Sequence, residues 1–65
     1  MEAKITLKAA RVNAGLSQQE AAKKLGIDRS TLYLWENGKS SPSVVMFKKI
    51  EEIYGISYNA INFLA

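Results

Sequence analysis

Four single glycines, Gly15, Gly26, Gly38 and Gly55, punctuate the chain, and each is followed within a few residues by Ser17, Asp28, Ser43 or Ser57. Glycine accepts the left-handed backbone just past a helix end, so each glycine reads as a stop. Serine and aspartate accept hydrogen bonds from the free N–H groups of a first helical turn, so each cap residue reads as a start. The strongest start is Ser17-Gln18-Gln19-Glu20, a capping box in which Glu20 reaches back to the Ser17 backbone. This register predicts an all-α chain of five short helices at 6–14, 18–25, 29–37, 44–54 and 58–63. No strand is expected, because the alternation from Ile5 to Leu7 is too short to separate a strand from the approach to a helix.

Apolar positions at helical spacing nominate the core: Leu7 and Ala10, then Ala21, Ala22 and Leu25, then Leu32 and Trp35, then Val44, Phe47, Ile50 and Ile53. Leu16, Ile27 and Ile56 each follow a glycine, where an apolar side chain can fold back on the helix it ends. A chain of 65 residues forms one domain that buries only about 60% of its unfolded surface. With no cysteine and no histidine, disulfides and the usual zinc sets are excluded, and helix packing must supply the stability. No apolar run is long enough for a membrane span, and the first residues lack the pattern of a secretory leader. A cytoplasmic location is the expectation.

Only Gly26, Ile27 and Asp28 separate the second helix from the third, and a glycine-containing turn of three residues between two short helices is a helix-turn-helix signature. Ala21 and Ala22 let the two axes approach closely. At about 100° per residue, Thr31, Leu32 and Trp35 share one face of the third helix, and Arg29, Ser30, Tyr33, Leu34 and Asn37 share the opposite one. That outward face carries chemistry suited to base edges. Arg29 can donate a bidentate pair to guanine, Ser30 can donate or accept, and Leu34 can meet a thymine methyl. The N-terminal part of such a helix enters the major groove, which makes Arg29, Ser30 and Tyr33 the leading base readers, followed by Leu34.

Phosphate ligands should surround this helix. Gln18 combines an amide with the positive end of a helix dipole, and Asn37-Gly38-Lys39-Ser40-Ser41 offers amide, cation and hydroxyl donors on one loop. Taken singly, each has a plain structural reading: Gln18 continues a helix after its cap, and Asn-Gly-Lys is a common turn. The net charge of +3 and pI of 9.4 agree with nucleic-acid binding but also suit a soluble domain.

The stretch 17–44, SQQEAAKKLGIDRSTLYLWENGKSSPSV, resembles the DNA-binding domains of the lambdoid phage repressor and Cro family, also called Xre-type. Its most specific parts are Gly-Leu-Ser-Gln at 15–18, Ala-Ala-x-x-Leu-Gly-Ile, Trp-Glu-Asn-Gly-Lys and the Pro-Ser before the fourth helix. The resemblance implies a lambda-repressor-like fold, a phosphate ligand at Gln18 and groove-facing residues at Arg29, Ser30, Tyr33 and Leu34. It also implies a buried or half-buried structural ion pair between Arg11 and Glu36. Leu34 stands where many relatives carry a polar or basic residue, and its apolar side chain offers no hydrogen bond to that base.

The resemblance further implies a homodimer on a twofold symmetric operator, with half-sites about 34 Å apart. The apolar segment 56–65 makes Tyr58, Phe63 and Leu64 candidates for the subunit contact, while Ile61 and Leu64 also fit a role in closing the monomer core. No cofactor, metal or small-molecule ligand is expected. The function implied is a sequence-specific DNA-binding regulator, with repression the expected direction. Two other classes compete. An enzyme would have to work without histidine or cysteine, and Glu20, Asp28 and Glu36 are better explained as helix and ion-pair partners. A protein-binding module, such as an antitoxin, would use exposed Tyr33 and Leu34 as its interface.

Overall fold

The computed structural model describes residues 4–63. Its order is β1 (Ile5–Thr6), α1 (Leu7–Asn13), α2 (Gln18–Leu25), α3 (Arg29–Glu36), α4 (Val44–Tyr54), a 3-10 turn (Tyr58–Ala60) and β2 (Ile61–Asn62). Leu7, Ala10, Ala21, Ala22, Leu25, Leu32, Trp35, Ile50, Tyr54 and Ile61 form the core, and every α-helix contributes to it.

The helix ends follow from local chemistry. Thr6 caps α1 by accepting the Ala9 N–H at 3.0 Å. Ser17 and Glu20 form the reciprocal capping box at α2. Its hydrogen bonds hold the Glu20 carboxyl below its ordinary value, the backbone N–H of Ser17 contributing most. Asp28 occupies the cap position of α3 with extended backbone, but its side chain makes no capping bond; its carbonyl oxygen accepts from Thr31 and Leu32 N–H.

Gly26 ends α2 at φ +74°, a conformation that strains any residue bearing a Cβ. The Gly26 N–H then reaches the Lys23 carbonyl, and the Ile27 N–H reaches the Ala22 carbonyl. The same paired bonds close α1 through Gly15 and Leu16, and α3 through Gly38 and Lys39. Leu16, Ile27 and Ile56 all pack against the core.

Three expectations are corrected. The described chain holds four α-helices, not five, because the segment 58–63 makes a single 3-10 turn and then extends. Ser57 accepts from the Asn59 N–H, which favours a tight turn, and pairing with β1 draws Ile61 and Asn62 into extended backbone. Strands are present: β1 and β2 pair in parallel, Ile5 opposite Ile61 and Thr6 opposite Asn62. This pairing buries Ile61 and sets β2 beside the strand that leads into α1.

The third correction is to α4. Val44 lies outside the core at 74% exposure, as does its neighbour Val45, and Phe47 is half-buried against Tyr58 and Phe63. This helix has apolar residues at 44, 45, 46, 47, 50, 53 and 54, more than one face can hold. The face that packs inward is Met46, Ile50, Ile53 and Tyr54, at the i, i+4, i+7, i+8 spacing of an amphipathic helix.

Candidate nucleic-acid interface

The third helix is fixed from behind. Leu32 and Trp35 are buried, Thr31 is half-buried beside them, and the adjoining turn of α2 supplies Ala21 and Ala22 with no bulk to hold the helices apart. At its far end, Arg11 Nε donates to Glu36 Oε2 at 2.7 Å, with side chains only 8% and 3% exposed. Arg11 also donates through Nη1 to the Leu16 carbonyl at 2.9 Å, so one guanidinium ties α1 to its own exit turn and to α3. The resemblance implied this pair, buried or half-buried; the structure adds its geometry and the second bond to the Leu16 carbonyl.

The outward face carries Arg29, Ser30, Tyr33, Leu34 and Asn37, all exposed. Tyr33 and Leu34 present 54% and 42% of their surface, an adjacent apolar pair on the face opposite the core, although Val44 and Val45 on α4 are more exposed still. Arg29 opens α3 at the positive end of its dipole, the least favourable end of a helix for a cation. Local rules broken without a stabilising return tend to mark functional positions.

Gln18 occupies the junction between this face and the buried pair. Its Nε2 donates to Glu36 Oε1 at 3.2 Å, and its Oε1 accepts from Arg29 Nε at 3.2 Å. Glu36 has only acceptors there, which fixes the orientation of the amide. Arg11, Glu36, Gln18 and Arg29 thus form one continuous chain of hydrogen bonds. Sequence reasoning placed Gln18 as a phosphate ligand and missed both of these bonds.

A cleft of about 470 Å³ lies between α1, the start of α2 and one side of α3 along its length, with Lys8, Gln18, Arg29, Tyr33 and Asn37 around it. Its charged lining is Lys8, Arg11, Arg29 and Glu36, a net charge of +2. Lys8 was not anticipated, although its i, i+3 spacing from Arg11 was a usable signal. Asn37 Nδ2 donates to the Tyr33 carbonyl at 2.8 Å, leaving one further amide N–H for a ligand. Lys39, Ser40 and Ser41 are exposed, and the Lys39 N–H is pinned to the Leu34 carbonyl at 2.9 Å.

The candidate subunit contacts lie elsewhere. Tyr58 is exposed with its ring stacked on Phe47 at 5.5 Å, and Phe63 packs against the same ring at 4.9 Å. Leu64 falls outside the described residues. Among the described residues there is no group of three or more acidic side chains placed to hold a metal, and no helix long and apolar enough to cross a membrane.

A family model described as "Helix-turn-helix" matches residues 7–61. An uncharacterized HTH-type transcriptional regulator of Methanocaldococcus jannaschii is 38% identical over 55 residues, covering 85% of this chain and 83% of that protein. One of Bacillus subtilis is 40% identical over 52 residues, covering 80% and 68%. Another, of Archaeoglobus fulgidus, is 39% identical over 44 residues, covering 68% and 63%. No solved structure matches the chain significantly.

Proposed function

The chain belongs to the Xre/Cro/C1-type helix-turn-helix family, and from that premise we propose that it is a transcriptional regulator that binds double-stranded DNA and reads the major groove with α3. The observation that carries this reading is the exposed face of Arg29, Ser30, Tyr33 and Leu34 on a helix immobilised by Leu32, Trp35 and the Arg11–Glu36 pair. A rigid element with an arginine at its leading end, held at Nε by Gln18 while its two Nη groups make no bond among the described residues, suits recognition of guanine.

In this reading Arg29, Ser30 and Tyr33 contact base edges and Leu34 meets an apolar group such as a thymine methyl. Gln18, Asn37, Lys39, Ser40 and Ser41 bind phosphates, the amides through the N–H groups that their internal bonds leave free. Two copies bind a twofold symmetric site, with Tyr58 and Phe63 as candidate contacts, and the action is repression of the adjoining gene.

Selection of preferred sites from random duplex DNA tests the proposal. An enriched palindrome supports both base reading and pairing of subunits. The exposure of Tyr33 and Leu34 favours one second reading, a helix-turn-helix module that binds another protein. Salt separates the two, because release of phosphate counterions makes DNA affinity fall steeply with salt and an apolar contact lacks that dependence.

A further inference from the structure

The cleft beside α3 contains a cation to which the preceding reading gives no task. A phosphodiester entering it would bring a full negative charge and oxygens that only accept. Arg11 is committed to Glu36, and Arg29 Nε is held by Gln18. Gln18 itself has one N–H left after its bond to Glu36, a neutral donor with no charge to offer. Lys8 is exposed, lines the same cleft and makes no ion pair or hydrogen bond among the described residues. Glu36 does not oppose the anion strongly, because it is buried and neutralised by Arg11.

We propose that Lys8 is a ligand for the DNA backbone: its ammonium group and the remaining Gln18 amide N–H take a phosphate in this cleft. The footprint then extends from the α2–α3 unit onto α1, along the strand that flanks the groove α3 enters. This rests on the DNA-binding reading. Lysine serves here as a point charge on a flexible stem, which suits a phosphate and carries no sequence information.

The test uses the whole chain and two duplexes, a selected site and an unrelated one, titrated between about 50 and 200 mM salt. Lys8→Gln should weaken binding to both equally and make the slope of log affinity against log salt shallower by about 0.9. Over that fourfold range of salt, its affinity should therefore fall about 3.5-fold less than that of the unsubstituted protein. Lys8→Arg should restore the slope. Lys24→Gln should not alter it, since Lys24 lies in a separate groove with Leu16, Glu52 and Ile53. A Lys8→Gln slope equal to that of the unsubstituted protein overturns the proposal alone. An unsubstituted protein that binds neither duplex at low salt overturns the DNA-binding reading and this proposal with it.

Discussion

Arg11 and Glu36 stand 25 residues apart in the chain, yet they meet through a 2.7 Å charge-assisted hydrogen bond with both side chains almost fully buried. The pair joins α1 to the end of the helix that carries Arg29, and through Gln18 it touches Arg29 itself. Fold stability and the orientation of the interface therefore share one set of contacts.

Removing one partner of a buried pair strands the other charge, at a cost of about 3–5 kcal/mol. In a chain of this size Glu36→Ala should lower the melting temperature by at least about 12 °C. Glu51 is an unsuitable control, because its Oε2 accepts the Tyr58 N–H at 2.9 Å and so helps to hold the turn before β2. The exposed Glu52 serves instead, and Glu52→Ala should change little. Equal shifts for Glu36 and Glu52 in thermal melts would count against a structural role for the pair.

Tyr54 gives the protein an alkaline limit. Burial is the main cause that pushes its hydroxyl up to about 12 from 10.0, and the nearby Glu36 carboxylate adds to it. Because the folded value is the higher one, the neutral phenol favours the folded state fully below pH 10. That contribution disappears as pH rises towards 12. The Tyr54 Oη is also buried without a hydrogen-bond partner among the described residues. Tyr54→Phe should therefore be neutral or stabilising at pH 7, with its advantage growing as pH rises from 10 towards 12. Denaturant melts of both proteins across this range supply the check, and a pH-independent difference would sink the assignment.

The capping box at α2 gives the complementary acid dependence. Ser17→Ala should cost about 1 kcal/mol. Glu20 is held below its ordinary 4.5, so its contribution is present above that value and is lost as pH falls through the lower folded one. In the Ser17→Ala background, urea melts should show a smaller acid dependence, since the Ser17 hydroxyl is one cause of the shift.

Much of this was legible because short-range chemistry controlled it. Ser17 and Glu20 are three residues apart, Gly26 meets a backbone need of its own, and the α3 wheel depends only on helical period. Most of what was missed required distant partners. Nothing local in Ile61 announces that it will extend to pair with Ile5. The surplus of apolar residues on α4 left its inward face undetermined until the other helices packed on it, so Val44 exchanged places with Tyr54. One miss was local: Thr6, which lay within the predicted first helix, caps it instead through the Ala9 N–H three residues on. Gln18 looked like a free amide because Glu36 and Arg29, 18 and 11 residues away, come to it only in the fold.

The loop after α3 should contribute affinity without discrimination. Lys39→Ala should weaken binding to all duplexes alike and reduce the salt slope by about 1. Titrations on a selected and an unrelated duplex check this, and a loss confined to the selected site would move Lys39 from backbone ligand to base reader.

The central claim is that Arg29 at the head of α3 reads a base, and site selection with the Arg29→Ala protein tests it most directly. The account predicts loss of preference at one position in each half-site, at about 1–3 kcal/mol of discrimination, with residual binding to DNA retained. An Arg29→Ala protein that enriched the same sites with the same preference at every position would contradict it.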